Sequence, residues 1–132
     1  KKAGTIVDMF KIVWGKNNYG FREFESIDVF TGDDLDLRKA LRSGQFKRLF
    51  VHILDRKMWE VLEEFVDQVE IVIWVHGAEA QLWQRRAYEL DNMPAHEVER
   101  KKRLSDQRRL FWRNLLSKEH QNLKLIFVSE YF

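Results

Sequence analysis

The segment with the clearest chemical potential is His76-Gly77-Ala78-Glu79, followed closely by Trp83, Arg85 and Arg86. An imidazole can exchange a proton near neutral pH or hydrogen-bond a hydroxyl or a phosphate. A carboxylate just past the turn, Glu79, can orient it or accept from a sugar hydroxyl. The plainer alternative is a histidine that merely pins its loop. Arg85 and Arg86 can bind an anion, or they can lie on a solvated helix face and pair with Glu79 and Glu89. Trp83 offers a surface for stacking a sugar, whereas Trp74 is expected in the core.

Two other constellations bear weighing. Asp34-Leu35-Asp36 is formally a D-x-D pair of the kind that holds a metal-bound nucleotide in some sugar transferases. Acidic residues in a first helical turn are favoured by the helix dipole alone, so capping is the simpler reading. The segment Arg100 to Arg113 carries seven basic residues against one acidic, Asp106. Arg100, Lys101, Lys102, Arg103, Arg108 and Arg109 can contact an anionic membrane or another anion, or form an ordinary exposed helix face. Base stacking is poorly served, because Phe111 and Trp112 sit together in the apolar part. No Walker-type loop, G-x-G-x-x-G, G-x-S-x-G, H-E-x-x-H or zinc-ligand spacing occurs, so the sequence shows no metal site.

These residues need elements to position them. Val69 to Val75 is a continuous, largely β-branched apolar run ending at His76-Gly77, the pattern of a strand buried on both faces. His76 is therefore expected at the carboxyl end of a central strand, the edge where open α/β sheets bind ligands. Phe46 to Leu54 reads as the preceding strand, and Asp55 caps a helix to about residue 66 with Met58, Val61, Leu62, Phe65 and Val66 on one side. Strand, helix and strand make a βαβ unit with parallel strands and a right-handed crossover. His52 falls inside its strand and is expected as a packed, hydrogen-bonded core residue.

Upstream, Thr5 to Trp14 reads as a strand, residues 15–20 as turn, Ser26 to Phe30 as a strand and Leu35 to Arg42 as a helix closed by Gly44. Downstream, helices are expected at 78–90 and 95–118, separated by Pro94, and a last buried strand at 123–128. The sum is a single three-layer, Rossmann-like α/β domain with a mainly parallel sheet over 1–132.

The composition fits this class. With 45% hydrophobic and 14% aromatic residues the chain is not disordered, and its net charge of +2 leaves any basic signal local. There are no cysteines, which fits a reducing compartment. No apolar run is long enough to cross a bilayer and no basic-then-apolar leader is visible, so a soluble domain is expected. The start at Lys1-Lys2 suggests a piece of a longer chain.

Three stretches together resemble a known family: V-H-I-L-D-R-K-M-W-E-V-L (Val51 to Leu62), I-W-V-H-G-A-E-A-Q-L-W-Q-R-R (Ile73 to Arg86) and L-I-F-V-S-E-Y-F (Leu125 to Phe132). They are similar to the amino-terminal, acceptor-side half of bacterial GT-B glycosyltransferases of polysaccharide biosynthesis. The string H-G-x-E-x-x-x-W-x-R-R is the most specific part of the likeness, which covers about residues 26 to 132. The resemblance implies His76 and Glu79 in the interdomain cleft as catalytic residues. It places Gly77, Trp83, Arg85, Arg86 and Ser129 at a carbohydrate or lipid-linked acceptor, with Ser129 ending the last strand. It further implies a nucleotide-sugar donor bound by a second GT-B domain beyond Phe132, no cofactor in this chain, and a cytoplasmic protein peripheral to the inner face of the membrane. The family's Gly-rich first strand would lie before Lys1, and it is normally central between the strands at Thr5 to Trp14 and Phe46 to Leu54. The other reading open at this point is a stand-alone α/β module that recognises nucleic acid or a protein through residues 100–113.

Overall fold

The apolar run at 69–75 is the middle strand of an all-parallel sheet. In the computed structural model, which describes residues 8–13 and 20–128, the chain falls into two compact units, residues 1–46 and 47–132. Each has its own three-stranded sheet.

The first unit holds β1 (Asp8–Ile12), β2 (Gly20–Phe24), β3 (Ile27–Gly32) and α1 (Asp34–Arg42). β3 is central, parallel to β1 and antiparallel to β2. The register aligns Phe10, Phe30 and Phe21 across the three strands, and the rings of Phe21 and Phe30 lie 5.2 Å apart. β2 is an element that the sequence pattern does not announce. Its turn into β3 has φ of 49° at Glu25 and 64° at Ser26, two consecutive left-handed residues as in a type I′ hairpin. The Gly or Asn that usually signals such a turn is missing. The expected strand at Thr5 to Trp14 is described only as β1, and residues 5–7 and 14–19 lie outside the described residues.

Asp33 caps α1, accepting from the Leu35 and Asp36 amides, while Asp36 Oδ2 accepts from the Asp33 amide in return. Asp34 pairs with Arg38 at 2.5 Å. All three carboxylates are thus occupied by local structure, as the capping reading of D-x-D requires.

The second unit runs β4 (Arg48–His52), α2 (Arg56–Leu62), a 3-10 turn at Glu63–Phe65, β5 (Glu70–Val75), a 3-10 segment at Trp83–Leu90, α3 (Ala95–Leu116) and β6 (Leu123–Phe127). The strands lie in the order β4-β5-β6, and both pairings are parallel, as the βαβ pattern predicts. Ile71, Ile73 and Val75 point to one face and are fully buried. Trp59, Val61, Leu62 and Phe65 from the α2 region and Trp112 and Leu115 from α3 complete that core. Burial of each large side chain contributes about 1.5–3 kcal/mol. The ends of the two helical segments meet through Lys118 with Glu63 and through the Trp59 and His120 rings. Both helices therefore lie on one face, as consecutive right-handed crossovers in one direction require. On the opposite face Phe50, His52 and Ile126 are exposed.

Two helical expectations are corrected. The helix expected over 56–66 is α-helical only to Leu62 and tightens to 3-10 as far as Phe65. The helix expected over 78–90 is a tight turn at 78–80 followed by the 3-10 segment, broken at Arg86 with φ −119° and ψ 26°. No side chain caps its start, and its anchoring to α3, described below, sets its path instead. Among the described residues no helix is long and apolar enough to cross a membrane.

At the amino edge of the sheet, Glu70 on β5 bonds Lys124 of β6 at 2.6 Å and Arg48 of β4. The Lys124 ammonium, and after it the Arg48 guanidinium, hold its carboxyl below the usual glutamate range. A carboxyl whose folded pKa is depressed contributes stability above the unfolded pKa, and that contribution is lost as pH falls through the folded value. Denaturation midpoints measured from neutral pH down through the carboxylate range should therefore fall less steeply for Glu70→Gln than for the parent chain.

Candidate active site

The carboxyl end of the parallel sheet is shaped by one turn. β5 ends at Val75, and Gly77 takes φ +117°, a conformation that disfavours any side chain. Its carbonyl then accepts from the amides of Ala80 at 2.9 Å and Gln81 at 2.8 Å. The chain is thereby folded back so that Glu79 Oε1 accepts the His76 amide at 2.7 Å. Glu79 is only 7% exposed, and its Oε2 is buried without a hydrogen-bond partner among the described residues. Glu79 therefore fixes the main chain under His76 and keeps one acceptor oxygen unspent, while the His76 ring stays exposed.

Against expectation, His52 is not a core residue. Ile53 adopts φ +54°, which ends β4 at His52 rather than at Leu54 and leaves the imidazole exposed. His52 is in register with Trp74, and their rings stack 5.7 Å apart and 8° from parallel. Its Nδ1 lies 2.9 Å from His76 Nε2. Trp74 is half-buried against His52 and also meets Phe50 at 6.1 Å. The site thus contains a second imidazole that the apolar pattern of residues 46–54 conceals.

The basic helix α3 positions the loop after Gly77. Arg108 Nη1 donates to the Ala78 carbonyl at 2.6 Å and Trp112 Nε1 to the Glu79 carbonyl at 2.7 Å. The Trp83 amide donates to buried Ser105 Oγ at 3.0 Å, and Lys102 Nζ sits 4.7 Å from the Trp83 ring centroid. Lys102, Ser105, Arg108 and Trp112 lie three or four positions apart, which puts them along one stripe of the helix. Arg100, Arg103 and Arg109 are exposed and Lys101 is half-buried. Arg86 is held by Glu89 through Nε at 2.8 Å and also through Nη2, a pairing that raises its already high pKa. Arg85 is exposed. Ser129 lies outside the described residues. Among the described residues no three carboxylate or imidazole groups converge as a metal site would require.

Two outcomes follow for stability. Trp112→Phe keeps an aromatic side chain but removes the donor to the Glu79 carbonyl, and should cost about 1–3 kcal/mol in denaturant unfolding while speeding amide exchange at Ala80 and Gln81. Ile53→Asn relieves a left-handed β-branched residue that is 64% exposed, and should raise stability by roughly 1 kcal/mol in the same assay. Compared with known proteins, the chain matches no family model, no curated protein and no solved structure.

Proposed function

We propose that this chain is the acceptor-binding half of a GT-B glycosyltransferase of bacterial polysaccharide biosynthesis, working with a nucleotide-sugar held by a second domain. The observation that carries the reading is the exposed His76 imidazole at the carboxyl end of the central parallel strand, its main chain fixed by buried Glu79. That edge is where open parallel sheets bind ligands. In this role His76 is the base that receives the proton of an acceptor hydroxyl, and Glu79 is the group that fixes the main chain beneath it. Trp83 and the arginines after it line the approach of the acceptor. The three-layer architecture of such a half requires cover on the Phe50 and Ile126 face of the sheet.

The isolated chain is inactive on this reading, because transfer depends on bringing donor and acceptor together and on stabilising the departing phosphate. The deciding experiment expresses the full reading frame and measures sugar-nucleotide turnover. The frame should encode a second α/β half. His76→Ala should lower kcat/KM at least 100-fold, the scale of general base catalysis. A stop codon soon after Phe132, or undiminished turnover by His76→Ala, overturns the reading.

A lipid-linked acceptor would place the enzyme at an anionic membrane. With Lys102 and Arg108 engaged toward the site loop, the residues of α3 for that surface are Arg100, Lys101, Arg103 and Arg109, each worth on the order of 1 kcal/mol. Sedimentation with anionic but not neutral vesicles, lost in high salt and lost when Arg100, Lys101, Arg103 and Arg109 are changed to Gln, is the expected result.

A further inference from the structure

Glu79 fixes the main chain of His76 and leaves the orientation of its ring to His52. The 2.9 Å contact between His52 Nδ1 and His76 Nε2 is a hydrogen bond only when one nitrogen carries the proton and the other is bare. Two neutral rings can meet this condition in two ways, and each way fixes the tautomer of both. The stack of His52 on Trp74, 8° from parallel, holds the plane of the partner ring.

We propose that His52 is a positioning residue for His76: its Nδ1 accepts the Nε2–H of His76, so that His76 presents a bare Nδ1 to the ligand. The proposal rests on the transferase reading and deepens it. The bare Nδ1 takes the proton of the acceptor hydroxyl as that oxygen bonds the anomeric carbon and the bond from this carbon to the leaving phosphate oxygen breaks. The imidazolium keeps its Nε2–H on His52 and afterwards passes the Nδ1 proton to water. A carboxylate plays the orienting part beside many catalytic histidines. A neutral imidazole orients without placing a negative charge beside an incoming phosphate-bearing donor.

The test uses the 132-residue chain labelled with nitrogen-15 in its histidines, in mildly alkaline buffer, and reads the ring nitrogens by NMR. The expected spectrum shows coupling across the hydrogen bond and one His76 tautomer, unprotonated on Nδ1. His52→Phe keeps a ring against Trp74 but offers no acceptor, and should convert His76 to a mixture of tautomers. His52→Asn, whose Oδ1 reaches the place of Nδ1, should restore the single form. If His52→Phe loses the near-ultraviolet signal of the folded tryptophans, His52→Gln takes its place, since its amide extends past the Nδ1 position. A His76 spectrum unchanged in the substituted chain, or a parent His76 protonated on Nδ1, overturns the proposal. None of these readings needs a substrate. A tautomer that behaves as expected beside a full-length enzyme indifferent to His76→Ala would therefore sink the transferase reading and not the imidazole couple.

Discussion

A strand with parallel partners on both sides has no edge at which its chain can wander. β5 meets this condition, with β4 and β6 taking its backbone groups and Ile71, Ile73 and Val75 sealed beneath the helices. Its chain can leave only at the end of the sheet, and it must turn at once to reach the next element. Gly77 supplies the turn, Glu79 takes up the amide that the turn leaves free, and α3 takes up the carbonyls of Ala78 and Glu79. The site is a consequence of how a doubly paired strand is allowed to end.

This explains a division of labour on α3. A run of seven cations looks like one surface when read along the chain. On the helix it separates, because Lys102 and Arg108 share a stripe with Ser105 and Trp112 and are used on the site loop. The long aliphatic stems of these side chains suit them to lie over apolar surface while their charged ends reach a carbonyl or a ring.

β5 was legible because burial of Ile71, Val72, Ile73 and Val75 leaves an unbroken apolar run, and α1 was legible because Asp33 and Asp36 are capping types at capping spacing. What was not legible depends on backbone conformations that residue type argues against. Glu25 and Ser26 make a left-handed hairpin turn without glycine, and Ile53 ends its strand in a conformation that β-branched residues avoid. The second of these hid His52. Reading Phe46 to Leu54 as one strand put that histidine in its interior, two residues short of where it belongs. The loop after Gly77 departs from its pattern for another reason: Ala78 to Leu90 is rich in helix formers, but its amide and carbonyl groups are drawn to Ser105, Arg108 and Trp112, residues far along the sequence. The position of His76 and Glu79 at the end of β5 is legible because they stand next to the turn that ends the strand.

The strand order of the second unit also sets the sequence of its assembly. β4 and β5 pair across about 20 residues of chain, and β5 and β6 across about 50, so closing the second pairing costs roughly 0.8 kcal/mol more in loop entropy. By loop entropy alone the βαβ unit of β4, α2 and β5 closes first, and β6 joins later. Until it does, β5 presents one unpaired edge of a segment reading Glu70-Ile71-Val72-Ile73-Trp74-Val75, which is apolar, rich in β-branched residues and free of proline. The same strand that organises the native sheet is, during folding, the part of the chain most apt to pair with a copy of itself, and the speed with which α3 brings β6 into place governs how long that edge stays open.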